Sequence, residues 1–257
     1  MSSLFKRVFW PDTHCPLHDP RAVDCAMDIT RSIKPQELVF LGDFQDCAAV
    51  SKHSKTPDVE WRSLQDELAE GIELMHEIVR KVGARRVVYL CGNHERRIKR
   101  YIDDNANKLT GLLDVRKTLG IPKNWTYYPY GQGNFHQCGN SGVIAVHGSL
   151  LGQHPAKSHL NKYKCKGIIF GHTHRLQAWY ETDVHGDTYK SISSGHLGDT
   201  RKLADYVDSV ANWQQGLTSG YFKRSGRHFL EITEIQNGEG VANGRSFDRR
   251  HRRGEVV

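Results

Sequence analysis

Short apolar runs alternate with amphipathic stretches along the first two thirds of the chain. Lys6-Arg7-Val8-Phe9-Trp10 reads as a strand, and Pro20 to Ile33 as a helix with Ala22, Cys25, Ala26 and Ile29 spaced by three or four. Pro35 closes that helix, and Leu38 to Leu41 forms the next buried strand. Trp61 to Val82 places Trp61, Leu64, Leu68, Ile72, Met75 and Val79 on one helical face, with Gly83 at its end. Arg86 to Cys91 is a third strand. Helices are expected over Glu95 to Asn105 and Leu109 to Leu119. Trp125 to Tyr130, Val143 to Val146 and Gly167 to Phe170 read as strands, with a helix over Pro155 to Tyr163 before the last of them.

The period then changes. Ala178 to Ser193 reads as two strands meeting at the turn Val184-His185-Gly186-Asp187, and Tyr221 to Lys223 and His228 to Ile235 add late strands. From Gln236 the chain is rich in Gly, Asn and Arg and poor in apolar residues. The expected organisation is one α/β domain over residues 1–235, followed by a basic, mobile tail over 236–257.

At 257 residues the chain suits one well-buried domain. It has no apolar run near the roughly 20 residues that a bilayer crossing needs. Its first ten residues lack the apolar core and cleavage site of a secretory signal, so an intracellular (cytoplasmic) protein is expected. Cys15, Cys25, Cys47, Cys91, Cys138 and Cys165 show no C-x-x-C pairing and are expected as free, mostly buried thiols. The formal charge of +7 is uneven: residues 245–257 carry a net +3, and Arg96-Arg97-Ile98-Lys99-Arg100 forms a second basic cluster. Such a balance favours anionic partners, nucleic acid first.

The chemistry lies where the strands end. Asp12-Thr13-His14, Gly42-Asp43, Gly92-Asn93-His94-Glu95, His147-Gly148 and Gly171-His172-Thr173-His174 each follow a short apolar run. In an α/β sheet the carboxyl ends of strands meet at one edge, which unites residues far apart in sequence. Carboxylate, amide oxygen and imidazole together suit two divalent ions, manganese first, with iron, zinc, nickel or cobalt as alternatives. Two ions sharing a carboxylate neutralise charge that builds on phosphoryl oxygens, and a spare imidazole such as His94 suits the proton donor to the leaving group.

The order and spelling of these five blocks resemble the calcineurin-like metallophosphoesterase superfamily, whose pattern is D-x-H, G-D, G-N-H-[DE], H and G-H-x-H. The resemblance spans Asp12 to His174. It implies a four-layer αββα sandwich, two mixed sheets face to face with helices on both outer sides. It also implies Asp12, His14 and His174 on one metal, Asn93, His147 and His172 on the other, and Asp43 bridging both. His94 corresponds to the general acid, with Glu95 orienting it. The protein-phosphatase branch of the family follows its second block with an Asp-Arg-Gly triplet. Here Asp46 stands without an arginine after it. The overall spelling is also similar to compact metallophosphoesterases encoded by bacterial viruses.

Arg96 and Arg97 are candidate substrate-binding residues, placed to grip a phosphate or a nucleic-acid backbone at a helix start. Tyr127, Tyr128 and Tyr130 are candidates for a substrate wall, and His196 for a late return to the site. Trp10 and Phe44 are expected in the core. The functional expectation is hydrolysis of phosphodiesters in nucleic acid or nucleotides. The alternatives are a phosphomonoesterase acting on phosphoproteins or small phosphates, and a nucleic-acid-binding protein using the basic tail.

Overall fold

The computed structural model describes residues 4–52, 62–204 and 211–249. Trp61 and the arginines at 250, 252 and 253 lie outside the described residues. In the first sheet β1 (Phe5–Trp10), β2 (Glu37–Phe40), β3 (Arg86–Leu90) and β4 (Thr126–Tyr128) run parallel. β10 (Gln215–Phe222), β11 (His228–Gln236), β12 (Glu239–Ala242) and β13 (Arg245–Asp248) extend it beyond β1 by antiparallel pairing. The second sheet has the order β5 (His136–Gln137), β6 (Val143–Val146), β7 (Gly167–Phe170), β9 (Thr188–Ser194), β8 (Leu176–Thr182). Within it β6, β7 and β9 are parallel and the two edge strands antiparallel. The helices are α1 (Pro20–Ile33), α2 (Leu64–Val82), α3 (Arg96–Asn105), the short α4 (Val115–Thr118), α5 (Pro155–Tyr163) and α6 (Thr200–Ala204).

The two-residue period of a strand explains the layers. Along β1, Val8 and Trp10 pack towards α1 and α2, while Phe9 faces the second sheet. Leu38 and Phe40 of β2 divide from Val39 in the same way, as do Val87 and Tyr89 of β3 from Val88. Ala145 and Ile169 answer them from the second sheet, whose other face buries Ile144, Ile168 and Phe170 with Ala156 and Leu160 of α5. Strands buried on both faces read as continuous apolar runs. The fold is the expected four-layer αββα sandwich of two mixed sheets.

Local signals set the helix ends. Asp19 caps α1 by accepting from the Arg21 N–H at 2.9 Å, with Pro20 at the first helical position. Ser63 caps α2, and acidic Asp66 and Glu67 in its first turn oppose Arg80 and Lys81 in its last.

Two expectations need correction. The helix anticipated over Leu109 to Leu119 shrinks to a 3-10 turn, Asn107–Leu109, and the four-residue α4. Gly111 takes φ +93°, and Leu109, Leu112 and Leu113 are exposed, so only the end of the segment, Val115 and Leu119, meets the core. The mobile tail is corrected more fully, because residues 239–248 form two sheet strands. Asn237-Gly238 and Asn243-Gly244 both have positive φ, the requirement of tight two-residue hairpin turns. Ala242 and Phe247 then join the core over α1, and Arg249 Nε meets Asp28 Oδ2 at 2.7 Å.

His159 of α5 shows how the fold supports the site edge. Its Nδ1–H donates to the Pro155 carbonyl at 2.8 Å, and Nε2 accepts from the Ser149 N–H at 3.2 Å. Only a neutral ring makes both bonds. Burial pushes its pKa down from 6.5 to about 4. The stabilisation is therefore complete above pH 6.5 and is lost as pH falls towards 4. In chelator-treated protein the expected loss from this group is about 3 kcal/mol by urea unfolding. His159→Gln should flatten that acid limb, and a His159 NMR titration centred near 6.5 would contradict the assignment.

Candidate metal centre

The strands deliver all five sequence blocks to one end of the two sheets. Asp12 and His14 follow β1, Asp43 follows β2, Asn93 and His94 follow β3, His147 follows β6, and His172 and His174 follow β7. His14, Asp43, His172 and His174 all adopt positive φ, between +47° and +66°. A side-chain-bearing residue pays about 1 kcal/mol or more for that conformation, and such strain collects at functional sites.

Three groups of donor atoms result, each with all members within 4.8 Å of one another: Asp12, His14 and His174; Asp43, His147 and His172; and His14, Asp43 and His94. His14 Nε2 lies 2.9 Å from His174 Nε2, which is 3.3 Å from Asp12 Oδ2. His147 Nε2 lies 3.2 Å from Asp43 Oδ2 and 2.9 Å from Asn93 Oδ1. Asp43 thus belongs to two groups, between the Asp12 side and the His147 side. The donor set fits divalent ions. Two buried carboxylates, an amide oxygen and imidazole Nε2 atoms point at shared space, and those ring nitrogens are lone-pair donors once deprotonated.

The surrounding atoms fix the ring orientations. His147 Nδ1–H donates to the Leu41 carbonyl at 2.8 Å, leaving Nε2 to face Asp43. Although burial disfavours its charge, the neighbouring Asp43 carboxylate raises the His147 pKa to about 10. His172, half-buried, is depressed to about 4 by desolvation and by the neighbouring His147. Asp12 accepts the His172 N–H at 2.8 and 3.0 Å. Gly92 is required by close approach, since a Cβ there would sit 2.0 Å from Asp43 Oδ1.

His94 lies beside Asp43, its Nε2 3.8 Å from Asp43 Oδ2, and its own N–H donates to Asp43 Oδ1 at 2.8 Å. Burial works against a charged ring, but the Asp43 and Asp46 carboxylates outweigh it and hold the His94 pKa above its usual value. The residue that orients the ring is Asp46, within 3.0 Å of His94 Nδ1 and 2.9 Å of His14 Nδ1. Glu95, expected in that role, turns the other way. Its carboxylate accepts from the backbone N–H groups of Asp43, Phe44, Gln45 and Gly92 and from the Tyr89 hydroxyl, all at 2.8–3.0 Å. The reason is its place at the helix cap, directly beneath the loop that carries Asp43.

Arg96 and Arg97 divide. Arg97 is buried, donates to the Asp46 carbonyl, and sets Nη2 3.0 Å from His94 Nε2. Arg96 is exposed, with its guanidinium 5.4 Å from the Tyr130 ring centre. It lines a cavity of about 570 Å³ together with Lys99, Arg100, Tyr130, Asn134 and His147. Tyr127 and Tyr128 pack against the core clusters instead, and Trp10 and Phe44 are fully buried, as expected. His196 does return. It pairs with Asp12 in a parallel bridge, and its ring stacks on His174 at 5.1 Å between centres. Its sequence signal is the same strand-then-Gly-His spelling, Ser193-Ser194-Gly195-His196, and Asp46 had only its position after Asp43.

This fold and this clustering define a metal-dependent phosphoester hydrolase that binds divalent metal and takes a phosphoester substrate. The calcineurin-like phosphoesterase family model matches residues 8–176, and the chain belongs to that family. Among curated proteins it is similar to the Gene 54 protein of Mycobacterium phage L5, 26% identical over 253 residues, covering 92% of this chain and 96% of that protein. The Gene 54 protein of Mycobacterium phage D29 is 25% identical with the same coverage. Among solved structures it is similar to Vacuolar Protein Sorting 29 from Cryptosporidium parvum (12% identity, TM-score 0.48, 95% of this chain and 98% of that one). A predicted phosphoesterase from Streptococcus pneumoniae TIGR4 gives 10% identity and a TM-score of 0.42, with 96% and 97% coverage. No helix among the described residues is long and apolar enough to cross a membrane.

Proposed function

We propose that the chain is a dinuclear phosphodiesterase acting on nucleic acid or nucleotides. The observation that carries the substrate class is the cavity beside His147, walled by Arg96, Lys99, Arg100 and Tyr130, where Arg96 and Arg100 supply the cations because Lys99 pairs with Asp103 and Asp104 lines the same wall. Cations along a groove suit a repeated phosphate backbone, and an aromatic face suits a base. Asp12, His14 and His174 would hold one ion, Asn93, His147 and His172 the other, and Asp43 both. Manganese is the first choice, with iron, zinc, nickel and cobalt compatible with the same donors. When bound, the pair would acidify a water and neutralise charge on the phosphoryl oxygens.

The chain's own residues supply the rest. His94 gives its proton to the departing oxygen, and Asp46 holds the ring in place through Nδ1. Arg97, facing both, opposes the pull of the carboxylates and keeps that proton transferable. Arg96 and Tyr130 orient the substrate along the groove. Of the basic tail, Arg249 is engaged with Asp28 and Arg245 belongs to a strand, while the other tail arginines lie outside the described residues.

His94→Ala should keep both ions and slow turnover by about 10²–10⁴-fold, most with poor leaving groups. Metal content and turnover measured together check this, and loss of an ion would move His94 into the ligand set. The substrate class is tested by comparing bis-p-nitrophenyl phosphate with p-nitrophenyl phosphate on manganese-loaded protein, with a chelator control. A diester preference is expected. A monoester preference would overturn the diesterase reading and leave the basic groove as solvated surface.

A further inference from the structure

A further cluster of donor atoms, outside the groups that contain Asp43, joins the loop after β1 to α2. The Cys15 Sγ, a His18 ring nitrogen and a Glu70 carboxylate oxygen all lie within 4.8 Å of one another. Cys15 is fully buried, and His18 and Glu70 are half-buried. Cys15 pairs with Gln45 across a parallel bridge, anchored by Cys15 N–H to the Phe44 carbonyl at 2.8 Å and Asp46 N–H to the Cys15 carbonyl at 2.9 Å. Gln45 is 1% exposed, and neither atom of its amide has a hydrogen-bond partner among the described residues. That amide is pressed against α2 beside Glu70, where a Cβ on Gly71 would come within 2.1 Å of Gln45 Oε1. Glu67, one turn earlier on the same helix, is also buried. Its Oε2 accepts from the Ala49 N–H at 3.1 Å, while Oε1 has no partner among the described residues.

Unsatisfied polar atoms at this depth are costly and point to a partner, a water or an ion. A water would satisfy the amide but would not explain a thiol, an imidazole and a carboxylate converging beside it. Thiol with imidazole and carboxylate is a zinc-type donor set, unlike the all-nitrogen-and-oxygen set around Asp43. Tetrahedral zinc holds such atoms about 3.5 Å apart. His18 and Glu70 are the half-buried partners and would close that gap, with Glu70 leaving its 2.6 Å contact with Arg62.

We propose that Cys15, His18 and Glu70 form a third cation site that takes one zinc-type divalent ion, with Gln45 Oε1 or a water as the fourth donor. Binding displaces the Cys15 thiol proton to solvent and forms a thiolate–metal bond. The ion ties the loop that carries His14 and the loop that carries Asp43 and Asp46 to α2, so its role is to position those loops.

The test is a cobalt(II) titration of the full-length, metal-stripped protein, read by thiolate-to-cobalt charge transfer in the near ultraviolet. The donor groups that contain Asp43 include no cysteine, so that centre contributes no such band, and failure of either assignment leaves the other standing. Wild type should develop the band with saturation at one equivalent. Cys15→Ser should lose it, Glu70→Gln should need at least about tenfold more cobalt, and Cys138→Ser should keep it. Zinc content should fall by one ion per chain between wild type and Cys15→Ser. A wild type without the band, or a band that survives Cys15→Ser, would overturn the proposal.

Discussion

Asp43→Asn is expected to lower metal-dependent diester hydrolysis by at least about 10³-fold. Asp43 shares one carboxylate between two donor groups, facing His147 Nε2 at 3.2 Å while Oδ1 takes the His94 N–H at 2.8 Å. An amide removes the negative charge and turns an N–H group towards a nitrogen-rich neighbourhood. The backbone needs no such charge, since the Asp43 carbonyl accepts from Thr13 and His14 N–H at 3.0 and 2.9 Å whatever the side chain. The variant should therefore fold and lose metal along with turnover. Circular dichroism, metal content and kcat/KM on one preparation check this, and unchanged turnover would remove Asp43 from the bridging position.

Glu95→Gln is expected to cost about 3–5 kcal/mol of stability. The carboxylate is fully buried and accepts five hydrogen bonds, four of them from backbone N–H groups of two different loops. A glutamine side chain presents one oxygen and one NH₂, and the NH₂ would face N–H donors. The donors left facing the NH₂ are either Phe44 N–H, Gln45 N–H and the Tyr89 hydroxyl, or Asp43 N–H and Gly92 N–H, so the loss falls on the geometry of the site as well as on the fold. Urea unfolding of metal-free protein isolates the stability part. A cost below about 1 kcal/mol would mean that water replaces the carboxylate there.

The contrast between these two residues shows what could be read from the chain. Asp43 stands at a strand end in a recognisable block, and strand ends converge by topology, so its neighbourhood was legible. Glu95 and Asp46 differ from other acidic residues only in which way the chain turns beneath them. A sequence block gave Glu95 the task of bracing His94, whereas the fold gives that task to Asp46 and makes Glu95 the tie between two loops. Likewise Arg96 and Arg97 are indistinguishable as letters, but one faces the cavity and the other is buried against Asp46.

The sandwich itself was legible because strands buried on both faces leave unbroken apolar runs such as Leu38 to Leu41. Its far edge was missed because β12 and β13 bury few apolar side chains, and polarity outweighed the two Asn-Gly turns that specify the hairpins. His196 was ambiguous for a different reason. Its segment follows β9 as the other blocks follow their strands, yet only the parallel pairing of β7 with β9 brings it to Asp12.

The most direct test of the central claim is an anomalous-scattering map from crystals of manganese-loaded protein. The account predicts two peaks flanking Asp43, about 3.5–4 Å apart, one against Asp12, His14 and His174 and the other against Asn93, His147 and His172. A single peak, or peaks away from Asp43, would contradict it.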